Sequence, residues 1–293
     1  MAILLTANAQ IVRDHYKSTI EETSDSAKIF LSLQASTFFN NNEYFDAPIE
    51  GYTLTGAWLQ PVLFYQVNPK LRIGGGLHLM KYNGRNDLEQ AFPVFRVDYY
   101  PMNNLSITMG SFNGGMNHQL PEAVYYFENH FTDILNNGIR IKYQNAYIHS
   151  NTWLNWEQFI EPGDPFQEEL SFGSQNKVNV TQNGSSSLSL PVNLFVHHRG
   201  GQINNNNLPV TTAFEISFGF NLWMKSNISI FDSLCFHPLI FINEGDANDS
   251  NGDAFYPEFT AFKNDFGASI GYFRGHLFRT TYGDPIFFKF PRR

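Results

Sequence analysis

The sequence predicts an all-β protein, an antiparallel up-and-down transmembrane β-barrel of about 12 strands. Three observations lead there. Apolar and polar residues alternate with a period of two in run after run. The polar side of those runs holds Gly, Ser, Asn, His and a few unlike charges, which suits a crowded hydrated interior better than the Lys- and Glu-rich face of a soluble sandwich. Aromatic residues, 16% of the chain, gather near the ends of the runs, as girdles do at the two membrane interfaces.

The chain opens on apolar Ile3-Leu4-Leu5 followed by Ala7-Asn8-Ala9, the small-x-small pattern that signal peptidase accepts. Residues 1–9 therefore read as a signal-peptide remnant without its basic start, and 10–293 as one barrel domain. Leu31, Leu33 and Ala35 alternate with Ser32, Gln34 and Ser36. Leu71, Ile73, Leu77 and Leu79 alternate with Arg72, Gly74, Gly76 and His78, and Phe95, Val97 and Tyr99 with Arg96 and Asp98. The same pattern returns at Leu105/Ile107/Met109, at Ile139/Ile141/Tyr143 against Arg140 and Lys142, and at Leu188 through Val196 against Ser189, Asn193 and His197. It closes with Phe214 through Leu222 against Glu215, Ser217 and Asn221, and with Phe266/Ala268/Ile270. Turn residues separate the runs, among them Asn68-Pro69, Asn83-Gly84, Asn183-Gly184 and Asn204 to Asn207. One stretch breaks the period: from Leu120 to Leu135, Ala123, Phe127, Phe131 and Leu135 recur every four residues behind Pro121, which predicts a short helix or a structured loop.

The girdle reading takes in Phe38 and Phe39, Trp58, Phe92, Tyr99 and Tyr100, and Trp223. No run approaches the roughly 20 apolar residues of a membrane-spanning helix. Lys and Arg number 19 against 27 Asp and Glu, a net charge of -8, which speaks against a nucleic-acid surface, where a basic stripe is expected. The single cysteine, Cys235, excludes an intrachain disulfide and a cysteine-based zinc cluster.

Several segments also look familiar: Gly51-Tyr52-Thr53-Leu54-Thr55-Gly56 with Gln60-Pro61, Gly76-Leu77-His78-Leu79, Asn155-Trp156-Glu157-Gln158-Phe159-Ile160, His198-Arg199-Gly200-Gly201-Gln202 and Tyr282-Gly283-Asp284-Pro285. Across most of the chain they resemble a family of uncharacterised outer-membrane β-barrel, porin-like proteins of Bacteroidota. The resemblance implies an integral barrel and carries no catalytic residue. Similar proteins run on beyond the Gly-Asp-Pro segment, whereas this chain stops at Arg293, so a C-terminal truncation and an incompletely closed barrel are expected.

Alternation points a charged set inward: Arg72, Arg96, Asp98, Arg140, Lys142, Glu157, Arg199 and Glu215, with His78 and His197 beside them. These would meet across the lumen as ion pairs that either plug it or line a constriction. Carboxylates at Glu157, Asp164, Glu168 and Glu169 near Trp153 and Trp156 would suit a carbohydrate groove if they converged. His197 and His198 cannot share a ligand, because neighbouring strand residues face opposite ways. His237, before Pro238, reads as an interface residue. Asp246 to Asp253 departs from an EF-hand, with Pro257 where Glu is required, and reads as a hydrophilic turn. No serine elbow, phosphate loop or zinc-protease motif occurs.

These readings predict an integral barrel of the Gram-negative outer membrane, porin-like or structural, non-catalytic and with no cofactor. Its partners would be outer-membrane lipid and small polar solutes or glycans, and not nucleic acid. Two alternatives stay open. One is a secreted all-β carbohydrate-binding or carbohydrate-active protein. The other is an outer-membrane barrel enzyme acting on lipid or polysaccharide, which requires a compact acid or His cluster at the barrel rim.

Overall fold

The computed structural model describes residues 3–4, 26–43, 51–201, 203, 208–245 and 251–288. Apart from Ile3 and Leu4, the signal-peptide reading falls outside them, as do the Asn204–Asn207 turn, most of the Asp246–Asp253 loop and the Pro-Arg-Arg tail. The described strands are β1 (Ile3–Leu4), β2 (Lys28–Asn42), β3 (Tyr52–Asn68), β4 (Leu71–Tyr82), β5 (Gln90–Met102), β6 (Leu105–Asn113), β7 (Leu135–Gln144) and β8 (Ile148–Gln158). They continue with β9 (Glu169–Gln182), β10 (Ser186–Arg199), β11 (Thr211–Gly219), β12 (Asn221–Lys225), β13 (Ser233–Gly245), β14 (Gly252–Lys263), β15 (Phe266–Tyr272) and β16 (Arg274–His276).

All belong to one antiparallel sheet in which sequence neighbours are spatial neighbours, the up-and-down order of a barrel. β12 prolongs β11 between β10 and β13, and β16 prolongs β15 beside β14. The strand number exceeds the expected 12. Among the described residues, nothing pairs with the outer edge of β2, and β1 pairs only with β15.

Burial inverts the order of a soluble protein. Leu63, Ile73, Val97, Met109, Val192, Ile216 and Ile240 are exposed, while Gln60, Arg72, Asp98, Asn151, Asn193 and Ser217 are buried. An apolar outside and a polar inside are what a bilayer selects, and they rule out the shared apolar core of a sandwich. Short turns connect the strands at one end. There the Asn145 side chain accepts from the backbone N–H groups of Tyr147 and Ile148 at 2.8 and 2.7 Å, which is why Asn recurs in these turns. The opposite end carries the longer connections, including the whole of 114–134 between β6 and β7.

That insert turns into the barrel. It makes a 3-10 turn at Gly115–His118 and one short helix, α1 (Asn129–Thr132), so the expected helix shrinks to four residues and the rest is structured loop. A second segment, residues 277–288, packs against it. Tyr126 N–H donates to the Tyr282 carbonyl at 2.6 Å, Asp284 N–H to the Glu122 carbonyl at 2.8 Å, and Thr280 Oγ1 to the Ala123 carbonyl at 2.8 Å. Tyr125 and Tyr282 form a parallel bridge. Around this two-part plug lies the main apolar core, with Phe112, Val124, Trp153, Phe195, Phe241 and Phe278.

The plug explains why several girdle assignments are wrong. Phe38, Trp58 and Trp153 are buried because the wall residues facing the plug must be apolar, and Tyr100 is buried under Arg72 near the short turns; Phe39, Phe92 and Tyr99 do face outward. Gly173 records the crowding: a Cβ there would lie 2.1 Å from the Trp153 ring. Between the plug and the short turns remains a cavity of about 930 Å³, lined among others by Lys142, His149, Lys177, His237 and Glu258.

Candidate functional site

At the loop-rich end, three adjacent strands bring together residues that are far apart in sequence. Glu157 is next to last in β8, Glu169 opens β9, and His197 and Arg199 lie in the last three residues of β10. Strand register makes the convergence possible: Asn155 pairs with Ser171 and Trp156 with Leu170, which sets Glu157 next to Glu169. A bulge then shifts the pairing of Glu169 to Gln158 and leaves Glu157 as the extra residue. Across the other ladder, Arg199 pairs with Glu169 and His197 with Ser171.

His197 Nε2 lies 3.7 Å from Glu157 Oε2 and 3.6 Å from Glu169 Oε2. Arg199 Nε donates to Glu169 Oε1 at 2.8 Å, and Tyr282 Oη donates to Glu157 Oε2. The Tyr282 ring stacks on Tyr125 with centroids 5.6 Å apart and presents its face to the edge of His197. His197 is buried, Glu157 and Glu169 are half-buried, and Arg199 is about half exposed, so the cluster sits at the mouth of the barrel with its charged end toward solvent. Just inside, Asp284 caps the last turn through the Ile286 N–H at 2.9 Å, and burial raises its carboxyl to about 6.

The remaining polar candidates belong to the wall and the plug. Arg72, Asp98 and Arg96 do not meet across the lumen. Arg72 and Asp98 are a cross-strand pair at 2.9 Å, Arg96 reaches the same carboxylate at 2.6 Å from two residues away, and Thr108 adds a third donor at 2.7 Å. Register on β4 and β5 explains this, since pairing along the wall needs no span across the barrel. Arg140 donates to the Asn113 carbonyl at 2.8 Å and lies over the Phe112 ring. Lys142 lines the inner cavity. Buried His78 lies against Trp58, and Glu215 accepts from the Thr281 N–H at 3.0 Å, tying the wall to the plug. His118 stacks on Trp153 with centroids 3.8 Å apart and shares a 2.8 Å hydrogen bond with Asn136, while burial depresses its pKa far below that of free imidazole.

Glu157, His197 and Arg199 are therefore brought together, whereas Arg72, His78, Arg96, Asp98, Arg140, Lys142 and Glu215 are not part of that cluster. His198 faces the other way, toward Thr212, as strand geometry requires. Of the proposed acidic and aromatic groove, Glu157 and Glu169 converge, but Asp164 binds the Glu161 N–H in its own loop, and Trp153 and Trp156 point to opposite faces. His237 is an interior residue lining the cavity, not an interface residue. Tyr282 enters the site from the C-terminal segment, and no spacing rule places it there.

A family model described as Lipid A 3'-O-deacylase-type matches residues 21–291. No curated protein matches the chain. Among solved structures it is similar to OmpT, an outer membrane protein of Vibrio cholerae, in vitro folded and in trimer form, at 9% identity and TM-score 0.42, with 86% of this chain and 90% of that chain covered. It is also similar to a variant of the Rh. blastica porin, at 8% identity and TM-score 0.33, with 84% and 99% covered. The family match overturns the expectation of a non-catalytic porin-like or structural barrel, because the matched family is named for an enzymatic activity. The lumen supplies a physical reason against a simple pore as well: the plug occupies it.

Proposed function

The chain belongs to the lipid A 3'-O-deacylase-type family, and on that premise we propose that it hydrolyses an ester-linked acyl chain of a lipid A-class glycolipid at the outer membrane, with the Glu157–Glu169–His197 cluster as the reacting centre. The observation that carries the reading is this compact acid and histidine cluster at the barrel rim. Ester hydrolysis adds water across the acyl C–O bond, giving a fatty acid and a free sugar hydroxyl. The cluster takes a proton from the attacking water and returns one to the leaving sugar oxygen. Arg199, held through its Nε by Glu169, supplies positive charge for an oxyanion or a glycolipid phosphate.

Position supports the same reading. In outer-membrane barrels the longer connections face outward, so the cluster lies on the side where lipid A sits. Trp156, Phe159 and Phe166 are exposed around it and offer an apolar seat for an acyl chain next to the polar mouth. The protein is an outer-membrane barrel, and its partner on this reading is a lipid rather than a diffusing solute.

The test is mass spectrometry of lipid A or a synthetic acylated glycolipid after incubation with the full chain folded in detergent. Loss of one acyl chain, abolished by His197→Ala and by Glu157→Gln in variants that keep heat-modifiable mobility, is the expected result. Unchanged acylation with the parent protein, or full activity in both variants, would overturn it.

A further inference from the structure

We propose that the inner cavity binds a small saccharide carrying a phosphate or a carboxylate. The site is separate from the rim cluster, since the β6–β7 insert roofs it and none of Glu157, Glu169 and His197 lines it. Thr181 and Gln182, exposed at the end of β9, form part of its lining, so it opens at the short-turn end, the periplasmic side of an outer-membrane barrel. Its volume of about 930 Å³ lies at the upper end of the range for pockets that take small organic ligands, roughly 300–1,000 Å³.

Register gathers basic groups on one wall. His149 stands directly opposite Lys177 across the β8–β9 ladder, and Lys142 pairs with Asn151, two residues along from His149. All three line the cavity and are half-buried. Lys142 and Lys177 are two strands apart, which puts their Cα atoms roughly 12 Å from each other by strand spacing, within the span that two lysine side chains bridge through one anion. Among the described residues, no carboxylate lines the cavity from β7 to β10. Its acids lie elsewhere: Glu122 on the roof, and Glu258 across the barrel on β14, where it pairs in register with His237 and accepts from Tyr256 Oη at 3.0 Å. Basic groups opposite and diagonal to one another on a sheet cost stability, and a bound anion offsets that cost. Lysine ammonium and imidazole N–H groups hold phosphate or carboxylate through charge-assisted hydrogen bonds.

The rest of the lining has two sides. Beside the basic patch, Gln175, Asn179, Ser187 and Ser189 present amide and hydroxyl groups, which serve as donors and acceptors for sugar hydroxyls. The far wall is aromatic, with Trp223, Tyr256, Phe262 and Phe287, and the Tyr256 and Phe287 rings are 5.8 Å apart. A pyranose matches both sides, with a hydroxyl rim around an apolar C–H face that an aromatic ring can cover. A fatty acid tail would desolvate the amides and hydroxyls without pairing them, and a bare inorganic anion would leave the aromatic wall unused.

The experiment titrates the full chain, folded in detergent, with glucose 6-phosphate, glucuronate, glucose and inorganic phosphate by calorimetry. One equivalent of glucose 6-phosphate or of glucuronate is expected, and which of the two binds tells a phosphate-bearing sugar from a carboxylate-bearing one. Glucose and inorganic phosphate should each bind about 10-fold more weakly or worse, and Lys142→Gln combined with Lys177→Gln should weaken the anionic sugar to a similar degree in a protein that keeps heat-modifiable mobility. Cys235, the single cysteine of the chain, lines the same cavity, so bound sugar should slow its labelling by a maleimide. A parent protein that binds neither anionic sugar overturns the proposal without any variant needing to fold. Glucose or inorganic phosphate binding as tightly as the anionic sugar overturns the assigned ligand. Undiminished affinity in the folded double variant, or unchanged Cys235 labelling in the saturated protein, overturns the assigned cavity.

Discussion

Tyr282 donates a hydrogen bond to Glu157 across 125 residues of sequence, joining the C-terminal half of the plug to the end of β8. The bond makes the rim cluster depend on a seated plug. Tyr282→Phe keeps the ring that stacks on Tyr125 and removes the donor. A hydrogen bond to a charged group contributes about 1.5–3 kcal/mol, so deacylation should fall by roughly 10-fold or more. Heat-modifiable mobility should be retained, and a variant with parental turnover would show that the bond does not orient Glu157.

Gly173 faces the Trp153 ring, which in turn stacks on His118 of the plug. Gly173→Ala should destabilise the folded barrel by about 1–3 kcal/mol through overpacking. The unfolding midpoint in urea, followed by tryptophan emission, reads this directly. An unshifted midpoint would mean that the ring can move aside.

Plug docking should weaken as pH rises. Asp284 sits at about 6 in the folded protein, above the unfolded carboxylate value near 3.9. The folded state therefore holds a proton that the unfolded state has released. This contribution is fully present below about pH 3.9 and is lost as pH rises through about 6. Hydrogen exchange across residues 277–288, corrected for intrinsic rates, should show more protection at pH 5 than at pH 7.5. Asp284→Asn should flatten the difference.

Ile216 and Ser217 separate lipid from interior within one peptide unit. Ile216→Arg should cost about 2–4 kcal/mol if the site is at mid-bilayer, as for charge on a barrel's lipid face. Ser217→Ala removes the 3.0 Å bond from Asn193 Nδ2 and should cost about 1 kcal/mol. Arginine at 217 has no room, since Ser217 is completely buried, so the packed interior withdraws the tolerance that an open lumen would have given. Equal effects of Ile216→Arg and Ser217→Ala on refolding into vesicles would contradict the assigned facing.

Barrel class and strand direction were legible because the lipid side of β4, β5, β7, β10 and β11 alternates cleanly with a polar inner side. β13 and β14 were hidden for a physical reason: Leu239, Phe241 and Ala254 face the plug, so apolar residues occupy both faces and the period disappears. β9 was hidden in the opposite way, with Ser174 and Asn176 bonded to Thr152 and Ser150 of β8 on the face opposite Ser171 and Gln175. At the rim, the requirement for an acid and histidine cluster could be stated from sequence, and Glu157, Glu169, His197 and Arg199 could each be named. Their meeting could not, because it depends on the register of three strands and on a segment returning from the far end of the chain.

Thr280 reaches the Ala123 carbonyl over 157 positions, while nearly every wall contact joins adjacent strands. Neighbouring hairpins form quickly and contacts of such separation form slowly. By that measure the wall is expected to assemble before its filling. The last dozen described residues then tuck beside the β6–β7 insert, and the same step that fills the mouth of the barrel delivers Tyr282 to its carboxylate.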